Sequence, residues 1–154
     1  MEASIKAKSA LASFLHLAGV NSWKLRRYAR GDIAVLMYHR VIPIKEMGRS
    51  VQAGMVVEPV TLDRHIRYLR NHFEIIPLSD LPSFQHTNTQ ELSRKPLCVL
   101  TFDDGWCDFF AYAYPILKKH EAPATVFLPT DFIGTDRWFW TDRVGFLLDR
   151  MAQS

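Results

Sequence analysis

The sequence predicts an α/β protein built on a mostly parallel sheet. Two observations carry that expectation. Short apolar runs alternate with stretches of helical periodicity, and the runs are apolar throughout instead of alternating with polar residues. A strand covered on both faces has no polar side, so continuous runs suit a sheet flanked by helices. With 154 residues, 48% hydrophobic and 23% charged, the chain has the composition of one folded domain and not of a disordered one.

From about Ile5 to Gly19, Leu11, Phe14, Leu15 and Ala18 fall on one helical stripe, and Gly19 offers a stop. Lys6 and Lys8 ahead of "ALASFLHLAGV" give this segment a faint likeness to a signal-peptide core. His16 interrupts that core and basic residues follow, so an amphipathic helix is the expectation. The stretch "WKLRRYAR" holds Lys24, Arg26, Arg27 and Arg30, read as a solvated helix end able to make weak contact with a membrane surface. A net charge of +3 is too small to imply nucleic-acid binding. Residues 1–31 are therefore set apart as an amphipathic and basic helical segment preceding a domain over 32–154. No apolar run approaches the ~18–20 residues a bilayer requires, and without a convincing export signal the expected location is cytoplasmic or envelope-associated.

"IAVLMY" (Ile33 to Tyr38) reads as a strand buried on both faces, and the next twenty residues, with Pro43, Gly48, Gly54 and Pro59, as an irregular loop. Thr61 can cap a helix in which Leu62, Ile66, Leu69 and Phe73 recur at spacings of four and three. His65 and His72 share a face of that helix two turns apart, roughly 10 Å, too far for one metal ion. "FEIIPL" is a second strand, Ser83 to Lys95 a polar loop, and "LCVLTF" (Leu97 to Phe102) a third strand. A helix carrying Phe109, Phe110, Ala113 and Leu117 inward should follow, ending near Lys118-Lys119, with a kink or break at Pro115. "ATVFLP" (Ala124 to Pro129) is a fourth strand, and Val144 to Met151 a last helix. Cys98 and Cys107 form no C-x-x-C pair, so neither a structural zinc site nor a disulfide framework is expected.

The third strand ends in "VLTFDDGW". Two adjacent carboxylates after an apolar run repel each other, an arrangement that a cation or a reaction would justify. In parallel α/β folds functional groups sit where the carboxyl ends of strands open into loops, and Asp103 and Asp104 fall at such an end. Consecutive residues there point in different directions, and Gly105 lets the backbone turn sharply. A division of labour follows: one aspartate to hold a divalent metal, the other to take a proton from water. A metal lowers the pKa of its water from about 15.7 towards about 7 and keeps a neighbouring carboxylate ionised. The alternative, capping of the next helix, accounts for one aspartate but not both.

"TFDDG" resembles the first motif of the polysaccharide deacetylase family, the NodB-like carbohydrate esterases. "VLMYHRV" resembles the first barrel strand of one branch of that family, and "PATVFLPTDFIG" the strand and loop after the first motif. The resemblance spans about Asp32 to Val144. It implies a deformed (β/α) barrel, incomplete at the C-terminus, and removal of N-acetyl groups from an amino-sugar polysaccharide. It implies that Asp103 is the general base and that Asp104 is a ligand to a divalent metal, usually zinc. It also puts His39 beside the pocket. Trp106, Trp138 and Trp140 could stack on sugar rings, with core packing as the plainer fate for each.

The family's second motif, H-[ST]-x-x-H, supplies two further metal ligands, and after the first motif this chain has His120 alone. Catalytic zinc normally takes three protein ligands. The chain is therefore expected to be an N-terminal part of a deacetylase domain that does not hydrolyse acetamide by itself. Three other readings compete. Phosphoryl transfer of the dehalogenase kind wants D-x-D spacing, which Asp103-Asp104-Gly105 lacks. A pseudo-deacetylase would bind glycan without catalysis, and a basic module would dock on membrane or nucleic acid through "WKLRRYAR".

Overall fold

A computed structural model describes residues 33–47, 53–84 and 95–152. The segment 1–31, with Lys24, Arg26, Arg27 and Arg30, lies outside the described residues, as does most of the polar stretch between Ser83 and Lys95. In chain order the strands are β1 (Ile33–Tyr38), β2 (Arg40–Val41), β3 (Val56–Val57), β4 (Glu74–Ile75), β5 (Leu97–Phe102) and β6 (Thr125–Val126). The helices are α1 (Pro59–His72), α2 (Leu81–Phe84), α3 (Tyr114–Lys119) and α4 (Trp140–Met151).

Every residue of β5 is buried, as its largely apolar run requires, and the sheet is organised around it. β1 pairs in parallel along its whole length, Ile33 opposite Leu97 and Tyr38 opposite Phe102. The other edge is shared: β4 pairs with Leu97 and Cys98, β6 with Thr101 and Phe102, both parallel. β2 and β3 form a separate two-residue parallel pair inside the segment expected to be irregular.

Alternation along β5 divides the core into two layers. Cys98, Leu100 and Phe102 meet Leu62, Ile66, Leu69 and Phe73 from α1 and its end, together with Ala113 and Leu117. Leu97 and Val99 face the other way, onto Ile76, with Ile33, Leu78 and Leu81 beside them. That second layer is thin. On β1, Val35 and Met37 are 57% and 61% exposed, which corrects the expectation of a strand covered on both faces. Val and Met are apolar whichever way they point, so the run could not reveal that one face lacks a cover among the described residues.

Other elements begin or end elsewhere than expected, for local reasons. α1 starts earlier: Glu58 is its cap and Pro59 its first residue, where a missing N–H costs nothing, so Thr61 lies within the first turn. β4 and β6 are each two residues long. Ile76 donates once more to Cys98 O (2.9 Å) before Pro77, and Phe127 to Phe102 O (2.8 Å), beyond which β5 has no strand residues left to pair.

The helix after β5 passes through a π-helical stretch, Phe109–Ala113, before α3. Pro115 has no N–H for the carbonyl of Ala111, and the wider turn absorbs that break. The wide turn also shifts the helical phase. Ala113 and Leu117 are buried as expected, but Phe110 is exposed and stacks on Tyr114 (ring centroids 5.6 Å apart).

Candidate active site

The parallel ladder continues one residue past β5, because the Asp103 N–H donates to Tyr38 O at 2.9 Å. That bond sets Asp103 beside His39, the residue after β1. On the opposite edge Phe127 follows β6. His39, Asp103 and Phe127 thus leave three neighbouring strands at one mouth, at the ~5 Å spacing between strands. The carboxyl end of the sheet is where the sequence placed the two acids.

The chain then reverses sharply. Asp104 has φ +72° and Gly105 φ +62°, two successive left-handed residues. Glycine takes that conformation freely and aspartate is among the few other residues that tolerate it. Beyond the reversal, Asp104 Oδ2 accepts the Trp106 indole N–H at 3.4 Å. Its acceptor is therefore used by a side chain and not by the backbone of the following helix. Leu128 lies over Gly105, where a Cβ would meet its Cδ2.

Trp106 is held in turn. The Arg40 guanidinium stands 4.3 Å from the indole centroid. Its Nε and Nη2 each lie 2.7 Å from Asp108 Oδ2, and Asp108 Oδ1 accepts the Val41 N–H at 3.1 Å. Asp108 is 4% exposed, so one buried carboxylate satisfies both a guanidinium and a buried backbone donor. Sequence reasoning missed both Arg40 and Asp108. The available signal was a charged residue following an apolar strand and an acid among the apolar residues opening the next helix.

An aromatic run leads away from the acids. Trp106 lies 5.4 Å from Phe139, and Phe139 stacks on Phe132 at 4.5 Å. Phe132 borders an open cavity of about 730 Å³, lined also by Trp138, Trp140 and Phe146 and by charged side chains of both signs, Asp136 and Arg137 among them. Trp138 and Trp140 are exposed, Trp140 by 75%, so neither meets the core fate expected for it.

The other described histidines are engaged elsewhere. His65 Nδ1 lies 3.2 Å from the Tyr38 hydroxyl, and His72 Nδ1 2.8 Å from Tyr68 O, in keeping with their reading as surface or boundary residues. Burial, with Arg64 nearby, lowers the pKa of His65. Burial, with Cys98 adding to it, pushes the Tyr38 hydroxyl up to about 12, and burial pushes the Cys98 thiol up to about 11. His120 lies in the helical layer, its Nε2 2.8 Å from Asp63 Oδ1. Lys119 (3.0 Å) and Arg67 (3.0 Å) meet the same carboxylate. These contacts, that of His120 first, lower the Asp63 pKa to about 2.

Among the described residues no three His, Cys, Asp or Glu side chains converge to hold a metal ion. Catalytic zinc asks for three protein ligands, so the donors assembled here do not fit it.

Comparison with known proteins gives a consistent picture. The polysaccharide deacetylase family profile matches residues 90–153. The chain is 33% identical over 104 residues to YxkH of Bacillus subtilis (strain 168), a protein named as a polysaccharide deacetylase. That alignment covers 66% of this chain and 33% of YxkH, so the chain spans a third of its relative's length. Among solved structures it is similar to the Streptococcus pyogenes deacetylase PplD in complex with acetate, with a TM-score of 0.54 and 25% identity over 79% of this chain and 52% of PplD. It is similar also to IcaB from Ammonifex degensii, with a TM-score of 0.53 and 25% identity over 69% of this chain and 41% of IcaB.

Proposed function

Because the chain belongs to the polysaccharide deacetylase family, we propose that its described residues form the general-base half of a centre that removes N-acetyl groups from an amino-sugar polysaccharide. The observation that carries the reading is the placement of two adjacent acids at the mouth of β5. Asp103 stands in line with the strand ends beside His39, while the left-handed turn swings Asp104 toward Trp106.

In this reading Asp103 takes a proton from the attacking water as the water oxygen bonds to the acetamide carbonyl carbon. The carbon–nitrogen bond then breaks, leaving acetate and a free amine. Acetate bound to PplD fits such a product. The parallel sheet is an arc of a deformed (β/α) barrel, and Val35 and Met37 belong to its inward face. Trp138 and Trp140 supply exposed aromatic surface for sugar rings along the open cavity.

In the family a divalent ion, usually zinc, supplies Lewis-acid chemistry at this centre. Asp104 is the residue of this chain that would belong to its ligand set, and the described residues furnish too few partners to complete it. The chain is therefore expected to release no acetate above background from chito-oligosaccharide with added zinc. Release at ordinary enzymatic rates would overturn that half of the proposal. A chimera in which this chain replaces its aligned stretch of YxkH tests the other half. The chimera should deacetylate, and Asp103→Asn should lower its rate by ~10²-fold or more, the usual contribution of a general base. An undiminished rate would remove Asp103 from the role.

A further inference from the structure

Trp106 was a candidate sugar platform in the sequence, yet one face of its indole is taken by a guanidinium and Phe139 packs against it. We infer that Trp106 is a positioning residue for the Asp104 carboxylate, and that Arg40, fixed by Asp108, sets the indole in place. The inference rests on reading Asp104 as a residue of the site. Nothing in the family resemblance assigns a role to Arg40 or Asp108.

The geometry forms one continuous relay. Asp108 is buried, accepting the Val41 N–H and gripping Arg40 through two nitrogens at 2.7 Å. A guanidinium held in that way cannot rotate freely, and its charge is neutralised by Asp108 and not spent on the acids of the mouth. The planar group lies over the indole at a distance suited to a cation–π contact. The indole is a donor only, with a single N–H, so its orientation decides what that N–H meets. Here it meets Asp104 Oδ2.

Asp104 needs such a restraint. Its backbone is left-handed, a conformation that persists only where surrounding structure holds it. The carboxylate projects from a reversal of two residues and has no helix or strand of its own to fix it. A side-chain donor braced from β2 supplies the missing constraint, and it ties the segment after β1 to the turn after β5. Arg40 and Trp106 act through Asp104 and touch no reacting atom.

The experiment reads the Trp106 indole N–H directly in the chain as it stands. The four tryptophans give four indole resonances in a nitrogen–proton correlation spectrum, and Trp106→Phe identifies the one of interest. In the unmodified chain that proton should exchange slowly with solvent. Arg40→Met and Asp104→Leu should each speed its exchange about tenfold or more and move its resonance, while Arg64→Met should do neither. If Arg40→Met fails to fold, Arg40→Lys keeps the charge opposite Asp108 but loses the planar stack, and it should still speed exchange. Exchange within about twofold of the original in a folded Arg40 variant would overturn the inference, as would indifference to Asp104→Leu. The YxkH chimera separates this outcome from failure of the functional reading. There Arg40→Lys should lower kcat with KM held within about twofold. An indole that responds while the chimera ignores loss of Asp104 would refute the functional reading and leave the relay standing.

Discussion

Asp108→Ala tests whether one buried carboxylate organises the junction between β2 and the segment after β5. The substitution removes two partners at once. The Val41 N–H, on a residue with no exposed surface, would be left unsatisfied, a loss of about 1–3 kcal/mol. The Arg40 guanidinium would lose its partner, and breaking a buried ion pair from one side costs about 3–5 kcal/mol. The Arg40 side chain keeps 16% of its exposure, so it can recover some hydration and the lower part of that range applies. Because the terms share one carboxylate they do not add, and the expected loss is about 3–4 kcal/mol.

The assay is urea unfolding followed by circular dichroism. With a slope of about 2 kcal/mol per molar urea, the midpoint should fall by about 1.5–2 M. Asp108→Asn keeps an acceptor for Val41 and should lose roughly half as much. The pair Arg40→Met with Asp108→Leu removes both charges and should be less harmful than Asp108→Ala alone, since the unpaired guanidinium is gone. A midpoint shift below about 0.5 M for Asp108→Ala would refute the reasoning, and so would a double variant worse than the single.

Three other outcomes are expected. Gly105→Ala should destabilise by about 1–2 kcal/mol in the same urea assay, because a left-handed backbone disfavours a Cβ while the half-exposed Leu128 end above it can swing aside. Asp63 should add to acid sensitivity. Its folded pKa of about 2 lies below the ordinary value of 3.8, so its contribution is complete above that value and lost as pH falls from about 4 towards about 2. Stability measured across that window should fall less steeply in Asp63→Asn, and an unchanged slope would count against the network with His120, Lys119 and Arg67. Of the two thiols, exposed Cys107 should react promptly with a disulfide reagent while buried Cys98 stays inert until the chain unfolds, and two equally fast thiols would contradict the packing of β5.

What the sequence disclosed divides along a physical line. β5 was legible because burial on both faces leaves little room for polar residues, Thr101 being its one exception, so its run had sharp ends. The paired acids were legible because adjacent like charges at a strand end are costly without a purpose. The uncovered face of β1 was not legible, since exposure of Val35 and Met37 depends on what the fold brings opposite them. Arg40 and Asp108 stayed hidden for a related reason: they meet across the fold, and neither marks its partner in the chain. The start of α1 turned on Pro59 at the first helical position, a signal present in the sequence but outweighed there by Thr61. The π-helical stretch was half visible, since Pro115 foretold a break but not that the turn would widen and carry Phe110 outward.

The register of the central strands governs how the chain acquires its shape. Ile33 must wait for Leu97, and β1 has no other partner among the described strands. At ribosomal speeds of about 5–20 residues per second, a separation of about sixty residues leaves β1 unpaired for several seconds of synthesis. Contacts so distant in sequence also slow the search once the whole chain is free. "IAVLMY" is therefore an apolar segment that waits without its strand partner in the nascent polypeptide until β5 emerges.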